Sequence, residues 1–203
     1  DTYLKIIDWV NDLISAANQL NNYDDVFIDT NPSFAIYTQI ALAATDRIIA
    51  PVMADDSSRR ALTNIYSLVY GLNLPSAIYN QYAFHTKLTT AGRSLPKIHL
   101  VVKNRLTQYM GPASAYASVL TSIDNDLNTI LATHPQHFTF TNLADGVVDV
   151  RDFQTTGVVA FAEATPFSRL SKGIHNIFGN QTQIQDPNWQ NCIDAINGIA
   201  TRL

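Results

Sequence analysis

The stretch Tyr23–Ser33, YDDVFIDTNPS, decides the predicted fold of this chain because it joins a short apolar run to a helix start. Val26–Ile28 has the length and composition of a buried strand, and Asp29 follows it directly. Asn31 and Pro32 come next, and both residue types favour the first positions of a helix. A strand that ends in one Asp before a Pro-led helix presents a carboxylate well suited to the Mg²⁺ of a bound nucleotide. We therefore predict a strand over Val26–Ile28 and a Mg²⁺ site at Asp29.

Along the rest of the chain, apolar runs of strand length alternate with segments of helical period. This alternation is typical of β-α-β units on a parallel sheet, so we expect an α/β fold with a mostly parallel sheet and helices on both faces. The other predicted strands are Arg47–Val52, Ile98–Val102, and the weaker Phe138–Phe140 and Val147–Val150. The predicted helices are one ending near Asn21, one opening at Pro32, one closing at Gly71, one opening at Gly111–Pro112 and one opening at Asp186–Pro187.

Composition favours one globular domain spanning residues 1–203, because the apolar fraction is 46% and the charged fraction is 15%. No apolar run approaches the roughly 20 residues that span a bilayer, so we expect a cytoplasmic protein without a membrane partner. A formal charge of −4 argues against a uniformly basic nucleic-acid binder but leaves room for a local cationic patch.

The lone Cys192 is expected to be a packed thiol on a helix. Because Asp1 is not Met and begins inside a predicted helix, we expect an N-terminally truncated domain.

Polar residues follow three of the predicted strands. They are Asp29, the turn Asp55–Asp56 and the pair Asn104–Arg105. In a parallel sheet the carboxyl ends of the strands meet at one edge, so these residues are expected to share a crevice. The alternative for Asp29 is a structural one, in which its charge favours the N-terminal dipole of the helix opening at Pro32.

Other site chemistries have weaker support. The 203 residues contain no G-x-x-x-x-G-K-[ST] loop, so the usual phosphate cradle is absent from this chain. His134 and His137 flank a Pro, and we expect a loop with two exposed histidines and not a zinc site. Arg59 and Arg60 lie in the first turn of a predicted helix, where cations oppose the helix dipole. We favour a solvated face over a charged partner for this pair.

Three segments together resemble the ParA/MinD-type partition ATPases, a deviant-Walker branch of the P-loop NTPases. Tyr23–Val52 resembles a stretch with a YD-apolar-D-x-x-P-S strand end, an A-x-D turn and an apolar strand closing in P-V. Lys97–Arg105 is similar to the later strand whose Asn reads the adenine, and Ala162–Phe167 is similar to a region near the family's C-terminus. The likeness covers roughly the C-terminal two-thirds to three-quarters of such a protein.

The resemblance implies a role for few residues. Asp29 matches the Walker B acid, which orients the water shell of Mg²⁺ in hydrolysis, and Asn104 with Arg105 matches the adenine side. The intact protein would bind ATP and Mg²⁺, form a nucleotide-dependent homodimer, bind DNA nonspecifically and respond to a ParB-like stimulating partner. Its function would be plasmid or chromosome partition. The alternative is a MinD-like or degenerate relative that acts as a spatial regulator or interaction scaffold without hydrolysis.

The chain also departs from the family pattern. The first strand and its Walker A loop have no counterpart, Asn31 replaces a Pro, and Arg151 stands where a Pro often contacts the adenine. The segment Asn73–Pro96 is longer than usual and is either a partner-binding helix or a packed helix under a long loop. A basic amphipathic tail for membrane binding is not expected, because 188–203 carries only Arg202 as a cation.

The family's strand order has a further consequence. It places the missing strand between Val26–Asp29 and Ile48–Val52, so these two segments should not pair directly. Direct pairing within one chain would contradict the resemblance.

Overall fold

The computed structural model describes residues 2–30, 35–106 and 115–203. Its main sheet has three parallel strands in the order β1-β2-β3, which are β1 (Arg47–Val52), β2 (Lys97–Leu106) and β3 (Val147–Arg151). The predicted α/β class is therefore confirmed. A separate antiparallel hairpin, β4 (Gly173–Ile177) and β5 (Asn180–Ile184), was not predicted.

The described helices match the predicted helical segments in most of the chain, with finer divisions near the start. The predicted first helix is two helices separated at Asp8, and its end at the cap residue Asn21 is confirmed. The helices are α1 (Thr2–Ile7), α2 (Trp9–Leu20), α3 (Ile36–Ala43), α4 (Asp56–Tyr70), α5 (Ala77–Tyr82), α6 (Phe84–Thr90), α7 (Ala115–Thr133), α8 (Leu143–Gly146), α9 (Gln154–Ala162) and α10 (Asp186–Ala200).

The core is built on β2, whose side chains are buried on both faces of the sheet. Ile98 and Val101 belong to the larger apolar cluster, which includes residues of α4, α6 and α7. Leu100 and Val102 belong to a second cluster, against which Ile199 of α10 packs. The sequence of a strand that is buried on both faces is a nearly continuous apolar run, and for this reason the strand Ile98–Val102 was predicted correctly.

Helix α4 shows how local sequence signals set the element boundaries. The side chain of Asp55 accepts a hydrogen bond from the backbone N–H of Ser58 at 2.6 Å and caps the first turn. At the other end Gly71 adopts φ 72°, the left-handed conformation that closes many helices. Both boundaries agree with the prediction.

The predicted buried strand Val26–Ile28 is wrong. Residues 21–30 contain no strand, and the side chains of Val26 and Phe27 are 47% and 70% exposed. A strand is stable only where a neighbour takes up its N–H and C=O groups, and within the described residues β1 pairs with β2 alone. Direct pairing between Val26–Asp29 and β1, the outcome that would contradict the implied strand order, does not occur there.

Two further predictions differ from the structure or lie outside it. Phe138–Phe140 is not a strand, because a 3₁₀ turn over Pro135–His137 precedes it and only one bridge, Ile98 to Phe138, joins it to β2. Both Phe rings are buried in the core instead. The predicted helix openings at Asn31–Pro32 and at Gly111–Pro112 lie outside the described residues.

The long segment Asn73–Pro96 forms the short helices α5 and α6. Phe84 and Leu88 of α6 are buried, so of the two alternatives the packed helix is the correct one for this half. In contrast, α5 has no buried residue. Its exposed apolar and aromatic side chains are Ile78, Tyr79 and Tyr82.

Within the described residues, no helix combines the length and the apolar character that crossing a bilayer would require.

Substitution of Gly71 tests the packing at the end of α4. A Cβ at Gly71 would overlap the imidazole of His85 and would also sit at φ 72°, so we expect Gly71→Ala to lower the free energy of unfolding by about 2 kcal/mol or more. Gly92 has φ 73° with open space around it, so Gly92→Ala should cost only the backbone strain, about 1 kcal/mol. Urea denaturation of both variants measures the difference. Equal losses would show that the His85 contact contributes nothing.

Candidate functional site

The candidate site lies at the carboxyl edge of the main sheet, which we define by residues 53–56 after β1, 104–106 at the end of β2 and 151–154 at the end of β3. The pairing of Val52 with Lys103 and of Leu106 with Arg151 places these three ends at one edge. The Asp55–Asp56 turn and Asn104–Arg105 therefore share an edge, as predicted. Asp29 is exposed and does not end a strand.

The acids after β1 are engaged in local structure. Asp55 caps α4, and Ser58 Oγ accepts a hydrogen bond from the backbone N–H of Met53 at 2.9 Å. Asp56 accepts from Arg59 at 3.0 Å and from Arg60 at 2.6 Å, and these two guanidinium groups hold the pKa of its carboxyl below the usual range. Asp56 thus offsets the two cations that oppose the helix dipole. These contacts favour a structural role for the turn.

The end of β2 carries an irregularity at the predicted adenine-side residues. The register with β3 shifts between Lys103 and Leu106, and Arg105 adopts φ 58°. The side-chain oxygen of Asn104 accepts a hydrogen bond from the backbone N–H of Arg105 at 2.8 Å, and Tyr116 donates to the carbonyl of Arg105 at 3.2 Å. A non-glycine residue held in this backbone region is strained, and such strain is concentrated at functional sites. Asn104 is half-buried and Arg105 is exposed.

The end of β3 has a second strained residue that the sequence reading missed. Asp152 donates its backbone N–H to the carbonyl of Leu106 at 3.0 Å, which ties the ends of β2 and β3 together. Its carboxylate accepts from the backbone N–H of Gln154 at 2.9 Å, and Gln154 adopts φ 44°. The available signal was a polar residue two places after a predicted strand, since Asp152 follows Val147–Val150 as Asn104 follows Ile98–Val102. Arg151 is exposed beside this junction.

A buried lysine stands just inside the edge. Lys103 is 7% exposed, and its Nζ lies 2.7 Å from the carboxylate of Asp124 on α7 and 3.8 Å from that of Asp149 on β3. A buried ammonium is stable only when it is paired, so Lys103 is committed to these carboxylates. Sequence reasoning missed the cluster, although a lysine inside an apolar strand pattern is itself a signal that an acid lies opposite.

The histidine loop also has a structural role. The ring of His137 stacks on Tyr70 with centroids 3.9 Å apart, and the Tyr70 hydroxyl donates to the carbonyl of Pro96 at 2.9 Å. Burial lowers the pKa of His137, as do the neighbouring cationic groups. His134 and His137 are both half-buried, so the prediction of two exposed histidines is wrong.

Most carboxylates near the sheet edge are engaged by other groups of the chain. The described residues contain no group of three or more His, Cys, Asp or Glu side chains that could hold a metal ion. Asp29 is an exposed carboxylate in a segment without regular structure, and the carboxylates at the edge are engaged by Arg, Lys or backbone donors. The carboxyl edge therefore contains polar side chains and two strained backbone positions, one next to Asn104 and one at Gln154.

Comparisons of this chain with family models, with curated proteins and with solved structures found no match.

The Lys103 pair can be tested against a matched pair on the same helix. Asp124→Asn removes the nearest countercharge of a buried ammonium, so we expect it to lower the free energy of unfolding by about 2–4 kcal/mol. Asp126 pairs with Arg59 at 3.5 Å and is 44% exposed, so Asp126→Asn should cost less than about 1 kcal/mol. Chemical denaturation at neutral pH compares the two. A similar small effect at both positions would mean that Lys103 is not held by Asp124.

Proposed function

We propose that this chain is part of a ParA-like ATPase of plasmid or chromosome partition. The observation that carries the proposal is the position of Asn104, which stands at the carboxyl edge of a central parallel strand beside the strained Arg105. Ligands of open α/β sheets bind outside this edge, and the resemblance gives Asn104 the adenine contact. Hydrogen bonding of a base to a half-buried amide is chemistry that this position allows.

The open side of the sheet supports the same proposal. Within the described residues β1 has a neighbour on one side only, although its Ile48, Ala50 and Val52 are buried. Val26 and Phe27, which precede Asp29, are exposed and unpaired. An apolar strand with a free edge and an apolar segment without a partner are both expected where an intervening strand is missing. In the family that strand carries the phosphate loop.

The proposal extends to the intact protein. ATP would drive its dimerisation, the dimer would bind DNA nonspecifically, and a ParB-like partner would stimulate hydrolysis. Nonspecific binding needs only a local group of cations, because phosphate contacts carry no sequence information. A formal charge of −4 over the chain is compatible with such a local patch.

A second candidate function rests on α5. Residues 73–84 carry no Asp, Glu, Lys or Arg, and they include the exposed side chains of Ile78, Tyr79 and Tyr82. Depletion of charge and enrichment in Tyr are features of protein interface cores. A MinD-like or degenerate relative acting as a spatial regulator or scaffold would use such a surface without hydrolysis. Retention on DNA-cellulose separates the candidates: salt-sensitive retention supports partition, and passage without retention supports the scaffold.

The 203-residue chain alone should bind ATP very weakly. It has no loop whose backbone N–H groups and lysine would surround the β- and γ-phosphates, so most of the usual binding energy is absent. A thermal shift titration with Mg-ATP measures this, since a ligand that binds the native state raises the melting temperature according to its concentration over Kd. A rise that saturates at micromolar Mg-ATP would contradict the prediction.

Asp29 should be essential for hydrolysis in the longest natural polypeptide that contains these 203 residues. We expect Asp29→Ala to abolish ATP turnover while the fold is kept, because the exposed side chain of Asp29 contributes little packing. Asp25→Ala is the matched control, since Asp25 is an exposed acid of the same segment and should retain turnover. Steady-state phosphate release measures both variants.

Two outcomes would contradict this assignment. Absence of hydrolysis in the wild-type polypeptide would reject the proposed ATPase itself. Full turnover in Asp29→Ala, with a stability loss of about 1 kcal/mol, would show that Asp29 serves the following helix instead.

A further inference from the structure

One histidine of the β4–β5 hairpin forms hydrogen bonds to groups outside the hairpin. His175 of β4 places its Nδ1 at 2.8 Å from Glu163 Oε1 and its Nε2 at 3.0 Å from the carbonyl oxygen of Ser171. Only 9% of the His175 side chain is exposed. Glu163 is the C-terminal cap residue of α9 and the one glutamate among the seventeen acidic residues of the chain. The contact therefore joins the hairpin to the end of α9.

The two partners determine the charge of the ring. A carboxylate and a backbone carbonyl can only accept hydrogen bonds, so both ring nitrogens must donate. A doubly protonated imidazole is the cation, and a neutral ring would turn one lone pair towards an oxygen acceptor. The geometry is thus complete only when His175 is charged.

No other charge in the described surroundings substitutes for this pair. In β5 the residue opposite His175 is Thr182, and α9 carries no further titratable group after its first turn. Lys172 is paired with Asp186 of α10 and lies over the Trp189 ring at 4.7 Å. The remaining titratable groups on the elements around the small apolar cluster are Arg169, which is exposed, and Cys192 and Asp194 of α10. Cys192 is buried, and Asp194 accepts a hydrogen bond from Gln190.

The hairpin has little else to hold it in place. Ile177 and Ile184 pack with Val159 and Leu170 in a small apolar cluster that also includes Trp189. An isolated two-stranded sheet is marginal in water, so this cluster and the His175 contacts must fix it. The tip of the hairpin carries Phe178, which adopts φ 50° and is 92% exposed.

We propose that His175 and Glu163 form a pH-sensitive clamp that docks the β4–β5 hairpin on α9 when the imidazole is protonated and releases it when the imidazole is neutral. The hydrogen bonds that His175 donates to the carboxylate of Glu163 and to the carbonyl of Ser171 raise the pKa of His175 above its ordinary value. A raised native pKa stabilises the docked state fully below the ordinary pKa of about 6.5, and this stabilisation is lost as the pH rises through the native pKa.

Trp189 provides a direct probe of docking. The chain has two tryptophans, so Trp9→Phe leaves Trp189 as the single emitter beside the hairpin. Trp189 emission between pH 5.5 and 9 reports opening of the cluster, and NMR titration of His175 gives the imidazole pKa. We expect one transition, in which the docked-to-released ratio falls by at most about tenfold per pH unit, between the ordinary imidazole pKa of about 6.5 and the native His175 pKa.

Variants separate the clamp from general stability. Glu163→Gln keeps the side-chain size but removes the charge, so the His175 pKa and the Trp189 midpoint should both move to lower pH. His175→Gln should abolish the transition, and His134→Gln, a change at the histidine that precedes the Pro135–His137 turn, should leave it unchanged. A Trp189 signal that stays constant while His175 titrates, or a midpoint that does not move in Glu163→Gln, would overturn the proposal.

Discussion

Parallel pairing of β2 with a strand on each side is the constraint on which the rest of the structure depends. Parallel neighbours cannot be joined by a tight turn, so each connection must run back along the sheet to the edge where the strands begin. The connection from β1 to β2 contains α4, α5 and α6, and the connection from β2 to β3 contains α7 and α8. The apolar sides of α4, α6, α7 and α8 cover one face of β2, and α10 packs on the other. The same parallel order puts all three strand ends at one edge. The candidate site is therefore a product of the topology and not of one motif.

The elements that could be predicted are those whose signals are local. Arg47–Val52 is a continuous apolar strand, and α4 has a cap at each end. Val26–Ile28 has an equally apolar sequence, but a strand exists only with a partner, which no short window reveals. The β4–β5 hairpin was missed for a different reason. Its turn places Phe178 at φ 50°, where Asn or Gly is usual, so the sequence lacks the common hairpin signal.

Prediction of the site was limited in the same way. Asn104 and Arg105 follow an apolar strand, and the structure places them at the expected edge. The partner of Lys103 could not be read from the sequence, because Asp124 lies on a helix twenty-one residues away. The side chains of Arg59 and Arg60 are 38% and 74% exposed, in agreement with the predicted solvated face, but their shared partner Asp56 was not predicted. Spacing along the chain thus identified which residues end a strand but not which charges neutralise each other.

The pKa values of His137 and His175 are shifted in opposite directions by their surroundings. Burial against Tyr70 lowers the pKa of His137, so its contribution to stability is present above the ordinary pKa of about 6.5 and is lost as the pH falls. The carboxylate of Glu163 raises the pKa of His175, so its contribution is present below about 6.5 and is lost as the pH rises. The main core and the hairpin therefore respond to pH in opposite directions. Tyr70, on which His137 stacks, belongs to the larger apolar cluster, whereas Ile177 and Ile184 of the hairpin belong to the small one. We therefore expect acidification to weaken the packing around Tyr70 and to favour the docked hairpin.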